Sequence, residues 1–391
     1  MPRPSRRRDG DESRLGEGPR SSVPPVGSTG AARPGRLHGV DVARGLAVLG
    51  MFGAHLLTTS DLVWSDPSTW DGLVDGRSSI LFATLAGVSV ALLTGRTSPP
   101  TGDALVRARL VLLVRAVLVF AAGSAVQLLI TPVGVILEYY AVLFVLAVPL
   151  LRWRPRSLFL LAGGLVVVLN PLVHLLLVPW VSVETGGGGV LGGLVLLGQY
   201  PVAIWVAFLV VGLGVGRLDL TAVLVRVGLV VVGLVGAVVG YSAGPLLGVG
   251  EQAETFPETA LGELPRWQDL VPPVGQLLST APHSGTPAEV VASGGFALAV
   301  LGVCLLVADR LRPVLLPLAA VGSMPLSAYC LQLVGIALLG DSVFSTADGG
   351  VGHWVLFAGT ALVVCTVWSQ TLGRGPLERG IGLVTARALR G

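Results

Sequence analysis

Hydrophobic and polar positions alternate along this chain in long blocks rather than at a short period. From residue 39 onward, apolar runs of about 18 residues or more follow one another, separated by polar stretches rich in Gly, Pro and Arg. Each run is long enough to cross a bilayer as one helix. The pattern predicts an all-α polytopic membrane helical bundle with about ten spans, at residues 39–58, 78–95, 105–124, 133–151, 157–179, 197–216, 221–241, 288–308, 314–340 and 351–372.

Composition agrees with this pattern. The chain is 52% hydrophobic and 13% charged, about half the charged fraction of an ordinary soluble domain. We therefore exclude a soluble globular protein and interpret the net basic charge as loop charge, not as a nucleic-acid surface. Three cysteines lie inside apolar runs at no ligand spacing, so we predict no metal site: Cys304, Cys330 and Cys365.

The arginine positions predict the orientation of the spans. With a cytoplasmic N-terminus, nearly all arginines fall on the cytoplasmic side, and only Arg77 and Arg266 lie outside. Positively charged residues concentrate in cytoplasmic loops, and one span more or fewer would destroy this asymmetry. The sequence thus predicts a multi-pass protein of the cell inner (plasma) membrane with both termini in the cytoplasm.

Three segments differ in composition. Residues 1–36 are rich in Arg, Pro and Gly without apolar periodicity, which predicts a disordered cytoplasmic tail. Residues 37–373 form the predicted bundle, including an external loop over residues 242–287 that is either a lid or acceptor-binding segment or a solvated connector. Residues 374–391 are amphipathic and Arg-rich, and we expect a cytoplasmic tail on the inner leaflet.

The first predicted helix, HGVDVARGLAVLGMFGAH, contains Asp41, Arg44 and His55. All three share one helical stripe, with Arg44 and His55 about 20° apart around the axis and about 16 Å apart along it. Charged groups within a span usually face a bundle interior or a wet cavity. The alternative interpretation is a helix-entry ion pair with an interfacial histidine.

Other polar residues share the depth of His55 or lie in adjoining external segments: Asp71, Arg77, Gln127, Glu138, Tyr139, His283, Ser284 and Gln332. An imidazole surrounded by carboxylates and hydrogen-bonding groups supports general-base chemistry. We predict a cavity open to the outside with His55 as the catalytic base or a transient acyl carrier, and with Asp71 or Glu138 orienting its ring. The remaining residues of this set are predicted to bind the substrate.

Arginines also lie at the cytoplasmic ends of the spans. Arg115, at the inner end of the third span, is placed to meet a phosphorylated donor together with Arg44, because a guanidinium matches phosphate geometry. For Arg107 and Arg109 we favour ordinary positive-inside anchoring. His174 follows Asn170-Pro171, and we expect a packed histidine beside a kink.

Several segments resemble known membrane families. Asp41-x-x-Arg44-Gly45, followed by His55, resembles the first helix of acyltransferase family 3, where the matching histidine is taken as catalytic. WDGLVDGRSSILFATLAGVSVALLTG at residues 70–95 resembles bacterial proteins similar to heparan-α-glucosaminide N-acetyltransferase. PHSGTPAEVVASGGFALAVL, VGSMPLSAYCLQ and GPLE, nearer the C-terminus, resemble the uncharacterised YeiB-like family.

The resemblance implies a membrane acyltransferase. Such an enzyme would move an acyl group, expected to be acetyl, from cytoplasmic acetyl-CoA or another acyl-CoA to an external or membrane-embedded carbohydrate or glycolipid, at an amino sugar or a hydroxyl. Asp41, Arg44 and Arg115 would hold the donor, without a metal. The alternatives are a transporter or permease of a small solute or lipid-linked precursor, and a structural or assembly protein. The lipid bilayer is the expected partner, no nucleic acid is expected, and a homodimer stays open.

This chain departs from the family patterns at two positions where relatives have a histidine. The lysosomal enzymes place their active histidine in the external loop shortly before Trp-Asn-Gly, whereas no histidine occurs in Asp66-Pro67-Ser68 before Trp70-Asp71 here. Relatives also often have a histidine at the position of Gln332. The resemblance therefore leaves the catalytic role to His55.

Overall fold

The chain is described here by a computed structural model that covers residues 37–129, 132–185, 189–248, 273–344 and 347–389. The predicted N-terminal tail and the middle of the predicted external loop lie outside these residues. Every secondary-structure element among the described residues is helical. The predicted fold class, an all-α bundle of membrane helices, is confirmed.

The described α-helices are, in chain order, α1 (His38–Leu56), α2 (Arg77–Leu93), α3 (Gly102–Gln127), α4 (Leu137–Ala147), α5 (Pro155–Gly164), α6 (Asn170–Leu172), α7 (Val178–Thr185), α8 (Gly189–Gly192), α9 (Val202–Gly216), α10 (Val223–Leu246), α11 (Pro287–Val307), α12 (Arg312–Ser323), α13 (Pro325–Leu339), α14 (Val351–Thr371) and α15 (Pro376–Ala388). Short 3₁₀ helices lie at Pro67–Leu73, Val148–Arg152, Val274–Leu278 and Gly340–Val343. π-helical turns lie at Leu165–Leu169, Val173–Leu177 and Gly193–Leu197.

Many of these helices are suited to a membrane. Within the described residues, 6 helices are long and apolar enough to cross one, or up to 8 if each of two bent pairs counts as a single span. Helical structure overlaps all the predicted spans, while the count of about ten and the cytoplasmic placement of the termini stay predictions. The multi-pass character of the chain follows directly from these helices.

The ninth predicted span is divided. The sequence predicts one helix over residues 314–340, but α12 ends at Ser323 and α13 begins at Pro325. Met324 between them has φ −136° and ψ 53°, outside the helical region. A proline disfavours helical geometry at the preceding residue and lacks the N–H that a continuous helix needs. The prediction of a single helix is therefore wrong, and Pro325 gives the reason.

Glycines let the helices approach each other closely. A side chain at Gly233 or Gly240 of α10 would collide with Ala299 or Ala292 of α11. Small residues at such contacts are typical of membrane bundles, where lipid provides no hydrophobic drive for association. Gly236 of α10 likewise lies against Gly295 and Val291 of α11.

The first helix lies at the centre of the bundle. It contacts α2, α11, α12, α13 and α14, and Gly45 lies directly against the backbone of Leu318 on α12. Because Arg44 lies near the start of α1 and His55 near its end, these residues define two ends of the bundle, called here the Arg44 end and the His55 end. The central position of α1 brings its polar stripe into the protein interior rather than towards lipid.

Polar contacts close the Arg44 end. Arg217, buried after α9, donates hydrogen bonds to the carbonyls of Thr94 (2.8 Å) and Leu151 (2.6 Å). Glu378, in the first turn of α15, accepts hydrogen bonds from the N–H groups of Leu326 (2.8 Å) and Ser327 (3.1 Å). Glu378 thereby caps α13, because the first N–H groups of a helix have no partner within it. The C-terminal helix is thus joined to the bundle.

Candidate active site

Two of the cavities among the described residues lie beside the polar stripe of α1. The first, the His55 cavity, has a volume of about 470 Å³ and is lined by Ala54, His55, Pro132, Val133, Gly134, Gln199, Tyr200 and Phe344. The second, the Arg44 cavity, has a volume of about 150 Å³, and apolar and aromatic side chains surround its two most polar groups, Arg44 and Ser89. The stripe predicted on α1 therefore reaches both cavities.

The imidazole of His55 has a defined hydrogen-bond partner. Its Nδ1 lies 3.1 Å from Oε1 of Gln332 on α13. An amide oxygen can only accept, so Nδ1 carries the proton and Nε2 keeps the lone pair. The ring of Tyr329, one turn earlier on α13, packs edge-on against the imidazole with 5.9 Å between centroids. His55 thus lines its cavity as an oriented imidazole, and in the neutral ring Nε2 can accept a proton.

The acids predicted to orient His55 are engaged elsewhere. Asp71 accepts hydrogen bonds from the N–H and the hydroxyl of Ser60, both at 3.3 Å. Glu138 accepts one from the hydroxyl of Ser124 at 2.8 Å. The residue that bonds Nδ1 is instead Gln332, which the sequence analysis placed among the substrate-binding residues. An uncharged amide in an apolar run gives no sequence signal for this role.

His283 lies in the loop before α11, near the His55 cavity. Its Nε2 is 3.4 Å from Oδ1 of Asp75, and its backbone N–H donates to Glu289 at 2.9 Å. Its φ of 64° lies in the left-handed region, which is uncommon for a residue other than glycine and is kept only where surrounding contacts enforce it. Burial alone would lower the pKa of His283, but the hydrogen bond to Asp75 and the charges of Glu289 and Asp75 raise that pKa above its ordinary value.

Glu289 organises the rest of this loop. Its buried carboxylate accepts hydrogen bonds from the N–H of Gly285 (2.6 Å) and the hydroxyl of Ser284 (3.3 Å). The hydroxyl of Thr286 accepts the N–H of Glu289 at 3.1 Å. Thr286 therefore caps the N-terminus of α11, while the Glu289 carboxylate reaches back to the loop N–H of Gly285 rather than to that of Thr286. Ser284, predicted to bind substrate, therefore faces a carboxylate of its own loop.

His174 holds the same loop from the other side. Its Nε2 lies 3.1 Å from the carbonyl of Ser284, and its Nδ1 lies 3.0 Å from the carbonyl of Asn170. The amide of Asn170 donates to the carbonyl of Gly285 at 2.8 Å. His174 is packed between a helix and this loop.

Arg77, another predicted substrate-binding residue, is buried at the start of α2. Its Nε donates to the hydroxyl of Tyr241 at 2.7 Å, and its guanidinium lies 5.2 Å from the centre of that ring. It also donates to the carbonyl of Gly72 at 3.2 Å. These contacts give Arg77 a structural role, joining α2 to α10.

Aromatic rings connect the two histidine regions. Tyr200 lines the His55 cavity, and its ring packs edge-on against those of His283 and Tyr139, each at 5.4 Å between centroids. Tyr139 therefore lies behind Tyr200, while Gln127, the last residue of α3, is exposed. A cavity lies beside His55, but of the polar residues predicted to share it only His55 lines it, and Gln199 and Tyr200 form much of its wall.

At the other end of α1, Arg44 is firmly placed. Its Nη1 lies 2.9 Å from Oδ1 of Asp41, and its Nη2 donates to the hydroxyl of Ser89 at 3.0 Å. Arg44 thus forms the helix-entry ion pair with Asp41 and also lines a cavity. The two interpretations of this stripe therefore describe one arrangement. Arg115 lies on α3, about one turn from the cavity-lining Val119.

Comparisons with known proteins cover most of the chain. Residues 36–229 match the family model described as heparan-alpha-glucosaminide N-acetyltransferase, catalytic. Residues 275–385 match the family described as protein of unknown function (DUF418). No curated protein matches the chain. The first match indicates a membrane acyltransferase and contains His55, whereas the second contains Gln332 and Tyr329. Neither is acyltransferase family 3, so the likeness of the first helix to that family stays a prediction.

Proposed function

Because this chain is a membrane protein of the heparan-α-glucosaminide N-acetyltransferase-like and YeiB-like kind, we propose that it transfers an acyl group from cytoplasmic acyl-CoA to an external or membrane-embedded carbohydrate. Acetyl is the proposed acyl group, and an amine or hydroxyl of a sugar is the proposed acceptor. The protein would act in the inner (plasma) membrane with both termini in the cytoplasm. The observation that carries this proposal is the oriented His55 imidazole in the wall of a cavity.

The His55 cavity suits the acceptor. Its volume of about 470 Å³ falls within the usual range of small-molecule sites, roughly 300–1,000 Å³. A sugar amine or hydroxyl must lose a proton as it attacks a carbonyl carbon, and Nε2 of His55 is the nitrogen available to take it. Gln199 and Tyr200 add amide and hydroxyl groups to the same wall, where they would orient a carbohydrate.

The Arg44 cavity suits the donor. Its apolar lining fits an acyl chain and the methylene groups of a pantetheine arm, while Arg44 provides the charge that a phosphate requires. Asp41 would keep the Arg44 guanidinium in place, and Arg115 would add a second charge near the same end. When bound, acyl-CoA supplies an activated thioester carbonyl.

Acyl transfer is the direct test. Purified protein in lipid vesicles is given radiolabelled acetyl-CoA on the Arg44 side and a panel of amino sugars and neutral sugars on the His55 side. We expect a labelled sugar with the wild-type protein. Transport of an unmodified sugar, without any labelled product from any acceptor, would favour the permease alternative and contradict the proposal.

Donor binding is tested separately. Calorimetry with CoA should show weaker binding for Arg44→Ala, because the phosphates lose a charge-assisted partner. The matched control is Arg310→Ala, which removes an exposed arginine after α11. Equal CoA affinity for wild type and Arg44→Ala would remove Arg44 from the donor site.

A further inference from the structure

Tyr329 lines one cavity and contacts residues that line the other. It lines the Arg44 cavity, is 2% exposed, and packs against the ring of His55. Its hydroxyl donates to the carbonyl of Gly134 at 3.4 Å, and Gly134 lines the His55 cavity. The same hydroxyl accepts the N–H of Ile136 at 3.4 Å, and Ile136 lines the Arg44 cavity. A tyrosine hydroxyl thus separates the site proposed for the donor from the site proposed for the acceptor.

The hydrogen bonds of this hydroxyl are long. Protein O–H···O bonds are commonly about 2.7–2.8 Å and N–H···O bonds about 2.9–3.0 Å, whereas both contacts of Tyr329 are 3.4 Å. A better acceptor, especially one that gains negative charge, would compete well for the Tyr329 O–H and the Ile136 N–H. Donors aimed in advance at a developing oxyanion are among the largest contributions to acyl-transfer catalysis.

A second donor near His55, the amide of Gln332, has no acceptor among the described residues. Nε2 of Gln332 is buried and makes no hydrogen bond within the part of the chain that the structure describes, although Oε1 of the same side chain contacts His55. A buried donor without a partner is unfavourable, because it has lost its hydrogen bond to water and gained none in return. Tyr329 and Gln332 are one turn apart on α13, and both contact the proposed base. This arrangement indicates that an acceptor atom belongs beside them.

We propose that Tyr329 is a catalytic residue whose hydroxyl, with the Ile136 N–H and the Gln332 amide, binds the carbonyl oxygen of the donor thioester. The proposal rests on the proposed function. It assigns to α13 both the orientation of the base and the stabilisation of the oxyanion. The ring of Tyr329 also forms the wall between the two cavities, so the reacting carbonyl would lie at this wall.

The proposed step transfers the acyl group from the thioester sulfur to the acceptor. The acceptor oxygen or nitrogen bonds to the thioester carbonyl carbon while its proton passes to Nε2 of His55. The carbonyl π-electron pair moves onto oxygen, and the Tyr329 O–H donates to that oxygen. When the carbonyl re-forms, the carbon–sulfur bond breaks, and the proton on His55 passes to the departing thiolate. The products are the acylated acceptor and the free thiol.

Infrared spectroscopy tests the contact without any turnover. Acetyl-CoA carrying ¹³C at the thioester carbonyl is bound to wild type and to Tyr329→Phe. We expect the carbonyl stretch of the wild-type complex to lie below that of free acetyl-CoA, because a hydrogen bond weakens the double bond. The Phe variant, which keeps the ring, should return the stretch towards the free value. Identical spectra for the two complexes would overturn the inference.

Kinetics gives an independent measurement. Tyr329→Phe should lower kcat by about 10²–10³-fold, the loss typical of one oxyanion donor, with the Kd of acetyl-CoA unchanged. The matched control is Tyr241→Phe, which removes a hydroxyl bonded to Arg77 and Ser293 and should keep transfer near the wild-type rate. If Tyr329→Phe does not fold, Tyr329→Met is the second variant.

The outcomes separate the two proposals. A Tyr329→Phe protein that transfers acetyl at the wild-type rate overturns the role of Tyr329 and leaves the proposed function intact. A wild-type protein that binds acetyl-CoA with a lowered carbonyl stretch, but transfers acetyl to no acceptor, supports the contact and contradicts the proposed function. A wild-type protein that does not bind acetyl-CoA overturns both.

Discussion

Two histidines near one cavity are held by different chemical partners. Nδ1 of His55 contacts the amide oxygen of Gln332, and the ring itself lines the cavity. His283 contacts the carboxylate of Asp75 through its ring and that of Glu289 through its backbone. An amide fixes a neutral tautomer and leaves one nitrogen for a substrate. A carboxylate favours the imidazolium, which has no lone pair to accept a proton.

This difference in partners distinguishes the histidine proposed for catalysis from the one that supports the fold. His283 lies behind Tyr200, in a strained backbone conformation, and its contacts join the loop before α11 to the start of α2. His55 comes from a central helix, and its partners are neutral. We therefore propose the role of base for His55 and the fastening of the loop for His283.

The strongest test of this comparison is His55→Ala. A general base typically contributes about 10²–10⁴-fold in rate, so acyl transfer should fall by that factor while CoA binding and folding persist. His283→Ala should keep transfer much closer to wild type. Transfer assays on both purified variants check the order, and a wild-type rate for His55→Ala would end the proposed mechanism.

For the stability of the fold we expect the opposite order, with His283→Ala more destabilising than His55→Ala. Removing His283 breaks its contact with Asp75, and hydrogen bonds to charged groups contribute about 1.5–3 kcal/mol. Because the Asp75 side chain is 34% exposed, solvent screening reduces the expected loss to about 1–2 kcal/mol. Thermal unfolding in detergent measures it, with His353→Ala on α14 as the control. Equal destabilisation by His283→Ala and His353→Ala would show that His283 does not fasten this loop.

A smaller effect is expected at the partner of His55. Gln332→Ala removes the acceptor that fixes the tautomer, and a neutral hydrogen bond is worth about 0.5–1.5 kcal/mol. Transfer should therefore fall by up to about tenfold from lost orientation alone, plus any loss of the proposed oxyanion contact. Gln127→Ala, which changes an exposed amide on α3, is the matched control. Equal rates for both variants would remove Gln332 from the site.

The smallest expected effect is a pH dependence of stability. The pKa of His283 in the folded protein is raised above 6.5, so its charged pair with Asp75 stabilises the fold fully below that value. This stabilisation is lost as pH rises through the raised pKa. The Tm difference between wild type and His283→Ala should shrink from pH 6 to alkaline pH. A difference that grows with pH would contradict the assignment.

The sequence alone determined the helices and the polar stripe on α1. Apolar runs of sufficient length have few alternatives in a membrane, because lipid cannot satisfy an exposed backbone. The spacing of Asp41, Arg44 and His55 fixes their common face through local helix geometry alone. For the same reason, Pro325 could have shown the break before α13, since its effect on Met324 is local.

Only the tertiary structure decided which side chains meet. Gln332 bonds to His55 across 277 residues of sequence, and the sequence favoured Asp71 or Glu138 for that place. From the sequence alone, any carboxylate or amide at a similar depth could accept the hydrogen bond of the His55 ring. Packing decides which of them lies within about 3 Å of the ring nitrogen. Close approach of small residues, such as Gly45 against Leu318, sets the distances between helices, and this long-range packing placed Gln332 and Tyr329 on the imidazole.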